Sequence, residues 1–232
     1  MLLKQMYMNK EKKMEVLTNK LKILNHPLIS HNLAIIRNEN TSCEQFRNAL
    51  RRITYFLIYE ASKNLPTKEI TLKTPLEETS CFVFDDDIQL ILAPILRAGM
   101  VFCEVAQELL PFANVHHLGM YRDEETLEPV WYYDKRKKIK NVEKSKVIIL
   151  DPMLATGNSA KCAVDNFIFK GIKEENIVFM SLIATPEGVK KLSDKYKNVE
   201  IITASLDRTL NSKGYILPGL GDAGDRIYNT ID

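Results

Sequence analysis

The sequence predicts an α/β fold built on a mostly parallel, buried central sheet. Three observations carry that expectation. First, aliphatic runs without polar alternation recur at 88–92, 146–150, 177–184 and 199–204, the pattern of strands covered on both faces. Second, two of these runs pass through a short loop into apolar residues at helical spacing. Third, the loops themselves carry the chemically useful residues, at the carboxyl ends of strands where open α/β sheets place their ligands.

Taken in order, residues 1–22 are rich in Met, Leu, Lys and Glu and are expected to form a helical arm. His26 and His31 flank Pro27, a spacing that suits turn or capping roles better than metal ligation. Phe46, Ala49, Leu50, Ile53, Phe56 and Leu57 keep helical spacing and predict a helix over 44–62. Ile70 to Leu72 reads as a short strand, broken by Thr74-Pro75. Ile88 to Leu92 is a central strand, followed by Ala93 to Gly99 with Arg97 in the loop. Phe102, Val105, Ala106, Leu109 and Leu110 then mark a helix that Pro111 stops. Val115 to Met120 is a third strand, with Tyr121-Arg122 at its end.

Residues 123–145 are polar, and Lys135-Arg136-Lys137-Lys138-Ile139-Lys140 reads mainly as a solvated face. Trp131, Tyr132 and Tyr133 are expected to pack rather than to stack on a ligand. The strand at 146–150 stops at Asp151-Pro152 and gives way to Met153, Leu154 and the small or polar residues Ala155, Thr156, Gly157, Asn158 and Ser159. Ala160, Ala163, Val164, Phe167 and Ile168 follow on one helical face. Backbone N–H groups at such a helix start can gather around an anion, and Asp151 offers a carboxylate for sugar hydroxyls or hydrated Mg²⁺. The residue types alone leave this reading level with a plain turn capped by Asn158 or Ser159. Arg97 and Arg122, both placed after strands, favour a polyphosphate ligand. A strand over 177–184, a helix over 187–195 and a strand over 199–204 complete the core. Residues 214–226 hold four Gly and one Pro among apolar residues, which reads as a binding loop that uses backbone groups.

At 232 residues the chain can bury one full α/β core, taken as a single domain with an arm at 1–25, a core over about 81–204 and a C-terminal segment at 205–232. A formal charge of +2 gives no whole-chain case for nucleic acid or an anionic membrane. No apolar run approaches the ~20 residues of a membrane span. Lys4, Lys10 and Glu11 interrupt any signal peptide, so a cytoplasmic location is expected. Cys43, Cys81, Cys103 and Cys162 are scattered and are expected to be buried free thiols.

Together these motifs resemble the uracil phosphoribosyltransferases, over roughly 25–230. Asp151 through Gly157 is similar to that family's loop for 5-phosphoribosyl 1-pyrophosphate (PRPP), Pro94 through Gly99 to its pyrophosphate loop, Gly119 through Arg122 with Glu124 through Pro129 to a hallmark segment, and Gly214 through Asp225 to its uracil loop. The resemblance implies a type I phosphoribosyltransferase fold: a parallel sheet of about five strands flanked by helices, with a hood lobe over the base. It implies uracil and PRPP as substrates, UMP and pyrophosphate as products, and Mg²⁺ held mainly through PRPP and water rather than by direct protein ligands. By the same carry-over, residues 152–159 and Asp222 face PRPP, with the 155–159 loop on its 5′-phosphate. Asp151 meets the ribose, Arg97 and Arg122 hold the pyrophosphate, and Ile216, Gly221, Asp222 and Ala223 meet the uracil side. A homodimer or larger assembly is implied, and GTP, an activator of some members, is a candidate effector. The chain departs from the family pattern at Asn158 and in Met100-Val101-Phe102, each where a Gly is usual, and at Lys135-Arg136-Lys137 in place of Lys-Leu-Pro. Asn158 then either adopts a glycine-like backbone or serves as a helical cap or side-chain ligand. Val101 either crowds the pyrophosphate or stiffens the helix start. The competing function is a catalytically weak PRPP- or nucleotide-sensing regulator of the same fold, for which RNA is one candidate partner; for the main reading no nucleic-acid partner is expected.

Overall fold

The computed structural model describes residues 20–123, 129–134 and 139–230. In chain order the elements are β1 (Leu21–Ile23), α1 (Pro27–Arg37), α2 (Cys43–Ala61), β2 (Thr67–Lys73), β3 (Glu78–Phe84), β4 (Gln89–Leu96), α3 (Met100–Leu109), β5 (Asn114–Val115), β6 (Leu118–Arg122) and β7 (Pro129–Asp134). They continue with β8 (Ser145–Leu150), β9 (Met153–Leu154), α4 (Asn158–Phe169), β10 (Ile177–Ala184), α5 (Pro186–Lys195), β11 (Glu200–Leu206), β12 (Thr209–Leu210), β13 (Ile216–Leu217) and α6 (Ala223–Tyr228).

The central sheet runs β1-β11-β10-β8-β4-β6-β7, parallel throughout except for the β6–β7 pair. Side chains along β8 explain why its sequence shows no alternation. Ile148 and Leu150 enter a core shared with α1, α2, α3 and α6, whereas Val147 and Ile149 enter a second core with α4 and α5. Helices thus cover both faces, and the sheet's carboxyl edge is left for loops.

The helices start where local chemistry says they should. Ser42 and Gln45 form a reciprocal capping box at α2. His26 caps α1 through Nδ1, which accepts from Leu28 N–H at 3.2 Å, and Pro27 takes the first turn, so the capping reading of this histidine holds. Thr185 and Pro186 repeat the arrangement at α5.

Several expectations change. Residues 1–19 lie outside the described residues, and Leu21–Ile23 is a strand pairing with β11, not part of a helix. Ile70–Leu72 is part of an antiparallel hairpin, β2–β3, whose second strand carries no buried apolar face for a sequence pattern to reveal. The strand expected at 115–120 is two short strands along β4. Trp131, Tyr132 and Tyr133 are exposed on β7, because antiparallel β7 ends the described sheet with little laid over it. The cysteines are free, as expected, but only Cys103 is buried. The sequence loop at 214–226 ends in a helix, α6, capped by Asp222, whose Oδ1 accepts from Asp225 N–H at 2.9 Å.

Candidate active site

The first component grows out of β8. Asp151 N–H donates to the Met180 carbonyl at 3.1 Å, and β9 then runs beside Ile183 and Ala184, so the chain leaves the sheet in steps. Thr185 fastens the loop beyond: its hydroxyl donates to the Ala155 carbonyl at 2.7 Å and accepts from Gly188 N–H at 3.0 Å. Gly188 lets α5 come this close, since a Cβ there would lie 2.5 Å from the Ala155 oxygen. The turn into α4 is made by Gly157, at φ +79°. Asn158 is the first residue of α4 with ordinary helical geometry, so the glycine-like backbone considered for it is corrected: the left-handed residue is its neighbour. The Asn158 side-chain oxygen accepts from Lys191 Nζ instead.

The second component is charge at the strand ends. Desolvation pushes the Asp151 carboxyl up to about 7, against a 3.3 Å hydrogen bond from Met153 N–H that favours the ionised form. Arg97 follows β4 and is exposed, with Nη2 3.3 Å from Asp225 and its guanidinium 5.7 Å from the Tyr228 ring centre. Tyr228 O–H donates to the Arg97 carbonyl at 3.0 Å, so α6 helps to place this arginine. Val101 is buried in the core beneath α3 and does not crowd the cavity.

The third component is the C-terminal loop, and its supports come from far along the chain. Arg37 grips Asp207 with both nitrogens, at 2.7 and 2.6 Å, and donates to the Gly219 carbonyl at 2.7 Å. Asp207 accepts in turn from Gly219 N–H at 2.8 Å. Burial opposes the charge on Asp207, yet the bonds from Arg37 and Gly219 hold its carboxyl below the ordinary value. A Cβ at Gly219, φ +60°, would meet the Ile216 oxygen at 2.1 Å, so this sharp turn requires glycine. Arg226 donates to the carbonyls of Ile36, Leu220 and Asn38 at 2.6–2.8 Å and lies over the Phe46 ring. Sequence reasoning missed Arg37, Asp207, Arg226, Thr185 and Lys191, because each acts through partners remote in the chain.

The three components enclose one cavity of about 570 Å³. Arg97, Asp151, Met153, Leu154, Ala155, Thr156, Gly157, Asn158 and Ser159 line it from one side, and Ile216, Gly221, Asp222 and Ala223 from the other. Tyr121 joins Arg97, Asp151 and Asp222 around an adjoining cavity of about 300 Å³. Pro152 is corrected: it is buried, does not line the cavity, and its carbonyl accepts from Leu182 and Ile183 N–H in the sheet. Arg122 ends β6, but its side chain lies outside the described residues, as do Glu124 to Glu128 and the basic Lys135 to Lys138.

The cavity pairs a helix-start anion loop and a cation with carboxylates and irregular backbone, a set fit for a phosphorylated sugar beside a polar planar ring. Its carboxylates are hard oxygen donors of the kind Mg²⁺ accepts. Asp222 and Asp225 are also engaged in a helix cap and with Arg97. Among the described residues, three acidic side chains within reach of one ion occur only at Asp85, Asp86 and Asp87, on the turn before β4. The donor set therefore fits a metal that keeps most of its ligands from substrate and water.

Comparison with known proteins agrees with this geometry. The family model described as Uracil phosphoribosyltransferase matches residues 23–230. A uracil phosphoribosyltransferase of Thermosipho africanus is 49% identical over 91% of this chain and 99% of its own length, and one of Streptococcus salivarius is 46% identical over the same shares. The solved structure of the AQ2163 protein from Aquifex aeolicus superposes with a TM-score of 0.81 at 39% identity, covering 90% of this chain and 97% of that one.

Proposed function

The chain belongs to the uracil phosphoribosyltransferase family, and from that premise we propose how its own residues carry out the transfer. The reaction joins uracil N1 to C1′ of PRPP. The bond from C1′ to the pyrophosphate oxygen breaks, the N1 proton is released, and UMP and pyrophosphate are the products. Positive charge develops on the ribose ring as the bond to pyrophosphate stretches, as in other glycosidic cleavages. The enzyme's work is therefore to hold base and sugar in line and to stabilise the departing negative charge.

In this reading the loop over Ala155–Ser159 takes the 5′-phosphate on its backbone N–H groups and on the Thr156 and Ser159 hydroxyls. Asp151 holds the ribose hydroxyls. Arg97 and Arg122 hold the pyrophosphate and stabilise it as it leaves. Backbone groups of Ile216, Gly221 and Ala223 match the alternating donors and acceptors of uracil and leave one unpaired against cytosine. Asp151 and Asp222 would hold Mg²⁺ through water, and the ion when bound supplies further neutralisation of the pyrophosphate oxygens. Assembly into at least a dimer, activation by GTP and a cytoplasmic location are carried as parts of the same proposal, the first two checked by light scattering and by adding GTP to the assay.

The observation that supports the reading best is the convergence of Asp151, Arg97, the 155–159 loop and the Ile216–Ala223 segment on one cavity. The test is PRPP-dependent conversion of uracil to UMP by the purified protein, in wild type and in Arg97→Ala. Losing one charge-stabilising donor is expected to lower kcat/KM for PRPP about 100-fold while the uracil KM moves less. No UMP from the wild type overturns the transferase reading. Near-normal kinetics in Arg97→Ala overturns the assignment of that arginine.

A further inference from the structure

Asn158 lines the cavity at the start of α4, and the reaction described above uses its backbone N–H but gives its side chain no role. Its surroundings do. Gly188 and Lys191 are three residues apart on α5 and so share a helix face. Gly188 packs on the Ala155 carbonyl, and the Lys191 Cβ lies 3.2 Å from where a Cβ on Gly157 would stand. The lysine stem therefore runs along the left-handed turn of the loop, and its ammonium reaches the side-chain oxygen of Asn158, a residue that lines the cavity. Neighbouring lysines on the same two helices pair with carboxylates: Lys190 with Asp194, and Lys161 and Lys195 with Asp165. Lys191 is bonded to a neutral amide oxygen, and among the described residues it forms no ion pair with a carboxylate.

We propose that Lys191 is a phosphate-binding residue of this enzyme, contributed by α5 to the 5′-phosphate of PRPP and UMP and aimed there by the side chain of Asn158. The inference rests on the reading of 155–159 as the 5′-phosphate loop. An ammonium has three N–H donors, so the bond to Asn158 does not exhaust it. A dianionic phosphate on the loop N–H groups gains a charge-assisted partner from the flank, where the backbone offers only dipoles. Because Lys191 is exposed, the gain is modest and falls with salt.

The test measures the inhibition constants of ribose 5-phosphate and of inorganic pyrophosphate, each competing with PRPP, in the wild type and in variants at Lys191, Asn158 and Thr156. In Lys191→Ala, ribose 5-phosphate is expected to weaken about 10-fold at low salt, the scale of one lost bond to a charged group, and less at high salt. Pyrophosphate is expected to hold its affinity, and Lys191→Arg to restore most of the loss. Asn158→Gly is expected to weaken ribose 5-phosphate too, and Lys191→Ala/Asn158→Gly to be no worse than Lys191→Ala alone. Unchanged ribose 5-phosphate in Lys191→Ala, or equal weakening of both ligands, overturns the role of Lys191. Additive losses in the double variant overturn the aiming role of Asn158. Thr156→Val separates the premise: if ribose 5-phosphate binds this variant normally, the loop assignment itself has failed, whereas weakening in Thr156→Val but not in Lys191→Ala refutes only the inference.

Discussion

The anion loop and the C-terminal loop face each other across one cavity but are held by different means. The anion loop continues a strand into a helix, and its main outside anchor, Thr185 to Ala155, spans 30 residues. The C-terminal loop has little regular structure, and its anchors span 182 residues from Arg37 to Gly219 and 190 from Arg226 to Ile36. The first loop takes its shape from the sheet edge and the helix start. The second takes it from two arginines that fill its backbone acceptors and join it to the end of α1. In the proposed reading this backbone recognises a flat base, which requires its groups at fixed positions, and irregular chain reaches that rigidity only through such bonds.

The largest expected effect breaks the second region alone. Arg37→Ala leaves Asp207, only 5% exposed, as a buried carboxylate without its cation. Removing one partner of such a pair costs about 3 kcal/mol or more. Urea denaturation should show that loss, and the uracil KM should rise well above the change in the PRPP KM. Equal changes in both constants would mean that the arginine supports the whole fold and not the base loop.

Asp151, where the two regions meet, sharpens the comparison through pH. Its carboxyl is raised to about 7 in the folded protein, so between about 4 and 7 the native state holds a proton that the unfolded chain has released. Its contribution to stability therefore falls as pH rises through that window and stays low above it. Asp151→Asn removes the titration and should stabilise the ligand-free protein on the order of 2 kcal/mol at pH 8, while turnover collapses. Thermal melts at pH 5 and pH 8 check this, and an Asp151→Asn protein that melts lower than wild type at pH 8 would refute the desolvated carboxyl.

The smallest effect tests the first region. Thr185→Val deletes the hydroxyl that joins the Ala155 carbonyl to Gly188 N–H. A loss of about 1 kcal/mol is expected for such a bond. Steady-state kinetics should place it in the PRPP KM with the uracil KM unmoved, the reverse of the Arg37→Ala pattern. A shift in the uracil KM of similar size would show that the two regions are not independent.

The sequence was legible where structure is local. The central strands at 89–96, 145–150, 177–184 and 200–206, the helices at 43–61 and 158–169, and the gathering of residues 153–159 at a strand end all follow from burial periodicity and from what small residues do at a helix start. It was misleading where local pattern competes with a neighbour's demand. Leu21–Ile23 looks helical by composition but supplies the edge of the sheet beside β11. Pro152 sits inside the diagnostic motif yet serves the sheet through its carbonyl.

By itself the sequence determined the fold class and the motif order, because each strand, loop and helix start rests on residue types within a dozen positions of one another; the substrates entered only through the resemblance those motifs carry. Only the tertiary structure decided that Gly157 and not Asn158 takes the left-handed turn, that Arg37 and Asp207 fix the C-terminal loop, and that Lys191 reaches Asn158 in the 155–159 loop. Those outcomes depend on α1, α5 and β11 being packed around the carboxyl edge of the sheet. A hydrogen bond between residues 170 apart, such as Arg37 to Asp207, has no periodicity to betray it; it exists because hydrophobic burial on the two faces of the sheet has already brought its ends together.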